Sequence, residues 1–372
     1  MNKLRALSLL ALCLPLNVAV TEQLAPVAGS QTPEAPSLLI QSPHDYQVFQ
    51  RRDRGEGVIA VSGRAPAQAD RVEVRSSGES PFGALPEGWC PAPPGEFALS
   101  MTLPAGGWYQ LHARAYQGDR LVAETTVDHV GVGEVFVGAG QSNSTNSGEK
   151  RIQQHSGMVS SFSGEHWQLA DDPQPGAADL SQGGSFWPAF GDALYERFGV
   201  PIGVAVTGYG GTSVEQWQPG GDLFDHMMTR VRQLGPLGFR AVLWHQGESD
   251  VGTESEVYYL KLKNVILASK ERAGWEFPWF VAQVSYHNPD NPAFPTTRLA
   301  QQRLWDDGVA LQGPDTDTLT GDHRDQDGLG IHFSPKGLRV HGQMWAEILE
   351  QYVEAVLGGQ SSRSLDGARP SG

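Results

Sequence analysis

Hydrophobic and polar residues alternate along the first third of the chain. The clearest case is the stretch GWYQLHARAY from Gly107, in which polar residues separate four apolar ones: Tyr109, Leu111, Ala113 and Ala115. A period of two is typical of a strand with one buried face. Strand-like stretches also begin at Gly57, Arg71 and Glu96, and no segment of helical period interrupts them. This spacing predicts a small antiparallel, Ig-like β-sandwich over residues 37–131.

Near residue 132 the pattern changes to apolar runs that alternate with helix-like segments. The strand-like runs begin at Glu134, Pro201, Phe239, Trp279 and Gly308. Helix-like segments begin at Phe186, Val257 and Thr296, and a last helix is predicted after Ser334 as N-cap and Pro335 as first residue. Strand–helix–strand repetition predicts a parallel sheet covered by helices on both faces. We assign this α/β domain to residues 132–358.

The N-terminal end has the pattern of a secretory signal. Lys3 and Arg5 precede an apolar stretch, residues 6–20, that is short for a bilayer span. We therefore predict a signal peptide at residues 1–21, a Pro- and Ala-rich linker at 22–36, a disordered tail at 359–372, and a secreted or periplasmic protein. We do not expect lipid anchoring at Cys13, because Leu12 is a poor residue before it. No later apolar run is long enough for a membrane span.

The composition of the chain argues against some binding partners and against disulfide bonds. The chain of 372 residues has a formal charge of −15 and no basic patch, which argues against nucleic acid. Of its 2 cysteines only Cys90 would remain after signal removal, so no internal disulfide is expected. Nothing in the sequence indicates an oligomeric state.

Three predicted strands end in glycine and polar residues: GAG before QSN, TG before YGGTS, and LWH before QGESD. Ligands of open parallel sheets bind outside the carboxyl ends of the strands. These three ends therefore predict a polar rim that forms a ligand site.

Residues near this rim have the chemistry that acyl transfer needs. Ser142 lies at a strand end, and a serine there is either ordinary turn chemistry or a nucleophile. A serine nucleophile requires a base such as His332, and a carboxylate such as Asp327 to orient that base. Backbone N–H groups at Ser142 and at a glycine turn could stabilise an oxyanion, as could the side-chain amide of Gln246.

The blocks GQSN, GGTS, QGESD and DG…HFS, in that order, resemble those of the SGNH (GDSL-like) hydrolases. The most similar branch is that of the sialate O-acetylesterase-like carbohydrate acetylesterases, over residues 132–357. The resemblance implies a flavodoxin-like three-layer α/β/α domain that removes O-acetyl groups from carbohydrates without a cofactor. It also implies that Ser142 is the nucleophile and His332 the base. Gly210 or Gly211, with Gln246, would complete the oxyanion hole.

The triad acid departs from the family pattern. The family usually has Asp three residues before the His, where this chain has Leu329. We assign Asp327, with Asp325 and Asp322 as alternatives. We expect Trp217, after the GGTS turn, to contact the substrate or to pack in the core, and we place Asn143 with the substrate-binding residues.

Two other interpretations deserve comparison. The stretch DHRDQDG is reminiscent of a calcium loop, but the ligand positions do not fit, and we expect no metal site. The second is a non-catalytic carbohydrate-binding or adhesion protein. The chain has 10 Trp, and the predicted sandwich has Trp108 and Tyr116 on one strand. The combination of Ser142, Gln246 and His332 favours the enzyme, whose expected partner is an acetylated carbohydrate.

Overall fold

The computed structural model of the chain describes residues 37–359. The predicted signal peptide with Cys13, the linker and nearly all of the predicted tail lie outside this range. The strands of the described range are, in chain order, β1 Leu39–Ser42, β2 Gln47–Gln50, β3 Glu56–Arg64, β4 Arg71–Ser77, β5 Cys90–Ala92, β6 Glu96–Pro104, β7 Gly106–Gln117, β8 Arg120–Gly140, β9 Val159–Phe162, β10 Trp167–Leu169, β11 Ile202–Val206, β12 Ala241–His245, β13 Trp279–Gln283 and β14 Leu311–Asp315.

The N-terminal strands form two antiparallel layers. Strands β1, β3 and β6 make one layer, and β5, β4, β7 and β8 make the other. Alternate residues of both layers point into one core, with members such as Val61 and Phe97 from the first and Val72 and Leu111 from the second. The period-two pattern thus identified the buried faces of these strands.

Strand β8 joins these layers to the rest of the molecule. Its first half pairs antiparallel with β7, and its second half pairs in parallel with β11 and β12. The expected boundary between residues 131 and 132 lies inside this strand, so a separate β-sandwich domain is not confirmed. Fully buried Glu134 of β8 adds a link, since its carboxylate binds Arg51 and Arg240, each at 2.7 Å.

The second part of the sheet has the order β10-β9-β11-β8-β12-β13-β14. All neighbouring pairs are parallel except β10 with β9. In chain order, β11-β8-β12-β13-β14 reads 2-1-3-4-5, which is the flavodoxin-like order. The fold is therefore mixed α/β with one large mixed sheet, and the carboxyl ends of β8, β11 and β12 meet at one edge.

Helices cover both faces of this sheet. The apolar residues of α2, α3 and α4 pack into one core and those of α1 and α6 into another. As predicted, Ser334 caps the last helix, because its Oγ accepts the N–H of Gly337 at 3.2 Å. No helix within residues 37–359 is long and apolar enough to cross a bilayer. The helices are α1 Trp187–Phe198, α2 Asp222–Leu234, α3 Ser255–Ala273, α4 Pro295–Asp306, the single distorted turn α5 Asp325–Gly328, and α6 Pro335–Leu357.

Candidate active site

Ser142 follows the end of β8 in a tight turn. Gly140 makes this turn possible: its φ is +130°, and a Cβ there would lie 2.1 Å from the carbonyl oxygen of His245 on the neighbouring strand. A 3-10 turn starts at Ser142 and is closed by the N–H of Thr145, which donates to the Ser142 carbonyl at 3.0 Å. The serine is therefore held at the carboxyl edge of the sheet, with 7% of its surface exposed.

The glycine turn after β11 lies beside Ser142, as expected. A Cβ on Gly210 would be 3.5 Å from the Cβ of Ser142. Gly211 has φ +70°, and the space around its Cα is open. Within residues 37–359 the backbone N–H groups of Ser142 and Gly211 have no acceptor, whereas that of Gly210 donates to Asp179 Oδ2 at 2.7 Å. Two N–H groups near the serine thus have unused hydrogen-bonding capacity.

Gln246 does not occupy the position that we expected. Its side chain is fully buried, and Nε2 donates to the Thr212 carbonyl at 3.0 Å and to Asp250 Oδ2 at 2.5 Å. The hydroxyl of Tyr258 lies 2.8 Å from the Gln246 carbonyl oxygen and 3.0 Å from its Oε1. An amide nitrogen has two protons. Both are used inside the protein, so the expected oxyanion contact of Gln246 is wrong in this arrangement.

The two residues predicted to bind substrate are also buried. Trp217 is 0% exposed, its Nε1 donates to Thr212 Oγ1 at 3.0 Å, and its ring packs edge-on against Trp244. Core packing, the alternative, is therefore its observed role. Asn143 is 4% exposed, and its Nδ2 donates to Glu248 Oε1 at 2.8 Å and to the Ile331 carbonyl at 3.2 Å. Asn143 joins the serine turn to the residue before His332 and has little surface left for a substrate.

The carboxylate beside His332 belongs to Asp325. The backbone N–H of His332 donates to Asp325 Oδ1 at 3.1 Å, the N–H of Asp325 donates to the His332 carbonyl at 3.0 Å, and Nδ1 of the ring lies 3.6 Å from Oδ2. A Cβ on Gly330 would lie 1.7 Å from Oδ1. The Asp325 carboxylate therefore occupies space that any side chain at Gly330 would fill.

Asp327 is exposed and makes no ion pair with His332, so the expectation that it faces the base is wrong. Gln326 and Asp327 have φ values of +53° and +56°, so the chain reverses direction at Asp327. Asp322, the other alternative, binds Lys336 Nζ at 2.6 Å.

Comparison with known proteins identifies the family. Residues 132–351 match the family described as carbohydrate esterase, sialic acid-specific acetylesterase. The chain belongs to this family of carbohydrate esterases.

Individual relatives of this carbohydrate esterase are more distant. A probable carbohydrate esterase from Arabidopsis thaliana is 33% identical over 92 residues, which is 23% of this chain and 35% of that protein. The chain thus matches about a third of that relative's length. The crystal structure of a carbohydrate acetylesterase from Xanthomonas citri has a TM-score of 0.55 and 20% identity, covering 87% of this chain and 76% of that one. This likeness shows the fold.

Buried charges surround His332 of the esterase. Burial lowers the pKa of His332, the Asp325 carboxylate acts in the opposite direction, and Arg324 lowers it further. Burial also lowers the pKa of Arg324 to about 10. This side chain is 1% exposed and donates to the carbonyls of three residues: Thr316, Leu319 and Ile331. Arg324 therefore holds the loop that leads to His332.

Glu248 is a residue of the candidate site that the sequence did not single out, although it lies in the QGESD block. It is 2% exposed, and burial raises its pKa to about 7. In the described range, its Oε2, the Oδ1 of Asn143 and the Nδ1 of His245 have no hydrogen-bond partner. Buried polar atoms of this kind usually bind internal water. Glu248 accepts a hydrogen bond from Asn143, which lies in the serine turn and also bonds to the loop before His332.

No group of three or more His, Cys, Asp or Glu residues within residues 37–359 is arranged to hold a metal ion. The carboxylates of DHRDQDG have separate partners, because Asp322 binds Lys336 and Asp325 contacts His332.

Proposed function

We propose that the chain is an exported serine esterase that removes O-acetyl groups from carbohydrates, with Ser142 as nucleophile, His332 as base and Asp325 as the third member of the triad. The observation that carries this proposal is the bond from Asn143 Nδ2 to the Ile331 carbonyl at 3.2 Å. It joins the residue after the serine to the residue before the histidine. The two blocks thereby meet at the carboxyl edge of the sheet, where ligands of such folds bind.

In the acylation step, Ser142 Oγ attacks the acetyl carbonyl carbon while its proton passes to His332 Nε2. Asp325, next to Nδ1, favours the tautomer with the proton on Nδ1 and stabilises the imidazolium that forms. The C–O bond to the sugar then breaks, and His332 returns the proton to the sugar oxygen. The sugar leaves as an alcohol, and the acetyl group remains on Ser142.

In the deacylation step, His332 takes a proton from water, and the resulting hydroxide attacks the acetyl carbon. Collapse of the second tetrahedral intermediate releases acetate and returns the proton to Ser142 Oγ. Both intermediates carry a negative oxygen. The N–H groups of Ser142 and Gly211 are the donors best suited to it, because neither has another acceptor within residues 37–359.

The acetylated carbohydrate is proposed as substrate from the family, and export is proposed from the signal-like N-terminal sequence. A non-catalytic binding function is not favoured. Trp108, which suggested it, donates its indole N–H to the Gly157 carbonyl at 2.9 Å and packs against Tyr46. This ring is engaged in contacts within the protein.

The experiment is an acetate-release assay on a panel of acetylated mono- and oligosaccharides, with p-nitrophenyl acetate as a neutral reference and with and without excess EDTA. We expect activity that chelation leaves unchanged and that Ser142→Ala lowers on the order of a million-fold. Ser144→Ala is the matched control, since it removes a hydroxyl from the same turn. Equal activity of wild type and Ser142→Ala, or activity lost with EDTA and restored by a metal, would contradict the proposed mechanism.

A further inference from the structure

Asp179 lies beside the proposed nucleophile, on the connection between β10 and α1. Its Oδ2 accepts the N–H of Gly210 at 2.7 Å, and its Oδ1 accepts the N–H of Ser181 at 3.0 Å. The point where a Cβ would sit on Gly210 is 3.0 Å from Asp179 Oδ2 and 3.5 Å from Ser142 Cβ. The carboxylate and the serine side chain are therefore close neighbours on the same glycine.

The charge of this carboxylate is not balanced by a cation. Among residues 37–359, no Lys, Arg or His forms an ion pair with Asp179. Two arginines of the described range have other partners: Arg151 donates to the Gln182 carbonyl at 2.8 Å, and buried Arg324 donates to backbone carbonyls. Asp325 adds a second carboxylate next to His332. Asp179 is thus a carboxylate near Ser142 without a cation partner among residues 37–359.

Asp179 also has capacity to bind a ligand. A carboxylate offers about four acceptor sites. Asp179 uses three of them, for Gly210, for Ser181 and for a contact of 3.3 Å with Thr145 Oγ1, and its side chain is only partly buried. A sugar hydroxyl is a suitable donor for the remaining site. A sugar carboxylate at the same place would meet a like charge.

We propose that Asp179 determines substrate specificity: it selects O-acetyl esters of neutral sugars, by accepting a hydrogen bond from a sugar hydroxyl and by repelling sugars that carry a carboxylate. This inference rests on the proposed function. Sialic acid carries a carboxylate, so the preference departs from the substrate that the family description names. At separations of about 7 Å, repulsion between unit charges near a protein surface changes an equilibrium by about tenfold to a hundredfold.

The test uses two substrates that differ by one carboxylate, an O-acetylated methyl glucoside and the corresponding O-acetylated methyl glucuronide. For wild type we expect kcat/KM to favour the glucoside by about tenfold or more. Asp179→Asn keeps an acceptor for the Gly210 N–H and removes the charge, so this preference should shrink by about tenfold. Asp171→Asn is the matched control. Asp171 lies on the same connection and accepts the N–H of Gln154 at 3.1 Å, and its variant should keep the wild-type preference.

If Asp179→Asn does not fold, the salt dependence of the wild-type substrate preference tests the same inference. Because salt screens surface charges, 1 M NaCl should reduce the preference for the glucoside about severalfold. Equal rates on the two sugars, a preference for the glucuronide, or a preference unchanged by both salt and Asp179→Asn would overturn the inference while leaving the esterase proposal intact. Acetate release from neither sugar, with p-nitrophenyl acetate still hydrolysed, would refute the proposed function and this inference together.

Discussion

Asp325 and His332 are joined by two hydrogen bonds, one from the backbone N–H of each residue. The N–H of Asp325 donates to the His332 carbonyl at 3.0 Å, and the N–H of His332 donates to the Asp325 carboxylate at 3.1 Å. These two bonds join the ends of the loop between the residues, and they fix the position of the carboxylate relative to the imidazole. The remaining oxygen, Oδ2, lies 3.6 Å from the ring Nδ1.

This arrangement predicts which carboxylate serves catalysis. Asp325→Asn should lower kcat by roughly ten-thousand-fold, because an amide favours the wrong imidazole tautomer and does not stabilise the imidazolium. Asp327→Asn and Asp322→Asn are matched controls from the same loop and should stay within about twofold of wild type. Steady-state kinetics on p-nitrophenyl acetate, with folding checked by circular dichroism, measure the three variants. A large loss in Asp327→Asn with normal turnover in Asp325→Asn would reverse the assignment.

A second prediction concerns Gly330. The Asp325 carboxylate occupies the space of its missing side chain, so Gly330→Ala should push the carboxylate away from His332. Misplacement by about 1 Å at a catalytic site costs on the order of a hundredfold in rate, and we expect a loss of that size with little change in melting temperature. In the control Gly55→Ala the nearest atom is 3.7 Å from the new Cβ, and activity should not change. Full activity of Gly330→Ala would show that the position of the carboxylate is not critical.

The pH dependence of catalysis follows from His332. Burial lowers its pKa, so the neutral base should persist at a lower pH than for an ordinary histidine. We expect kcat/KM to rise with pH along an acid limb whose midpoint lies below about 6.5. Because Asp325 favours the charged ring, residual activity in Asp325→Asn should show a still lower midpoint. A wild-type midpoint above the ordinary histidine value would contradict the burial argument.

The raised pKa of buried Glu248 leads us to expect that the stability of the protein depends on pH. Burial raises its pKa to about 7, and a carboxyl group whose pKa is raised on folding stabilises the protein most below its unfolded pKa. This contribution is lost as pH rises from about 4.5 to about 7 and amounts to about 3 kcal/mol. Glu248→Gln should remove this part of the profile, since its amide cannot ionise, and should still accept from Asn143.

The measurement is urea unfolding of wild type and Glu248→Gln at pH 5 and pH 8. The free energy of unfolding should fall less between the two pH values in the variant. Glu347→Gln, on the exposed face of α6, is the control and should follow wild type. Parallel profiles for wild type and Glu248→Gln would mean that Glu248 does not titrate in this range.

Local sequence determined the elements and the order of the chemical blocks. Alternation of period two located β3, β4, β6 and β7, and the change of pattern near residue 132 located the parallel strands and helices. Such elements can be predicted because the spacing of apolar residues within a strand or helix indicates which of its faces is buried. The proposals for Ser142, the glycine turn and His332 also use local sequence, since each follows a strand end or precedes a helix cap and lies in a motif block.

Only the tertiary structure decided which side chains face one another. Gln246 and Trp217 follow β12 and β11, strands whose carboxyl ends lie at the same edge as Ser142, yet packing against β12 and α3 buries both. The choice of Asp325 over Asp327 depends on two residues with positive φ and on the space over Gly330, neither of which leaves a periodic signal. Asp179 reaches Gly210 from a distant part of the chain. Such contacts depend on how separate segments pack, and no single segment of the sequence contains that information.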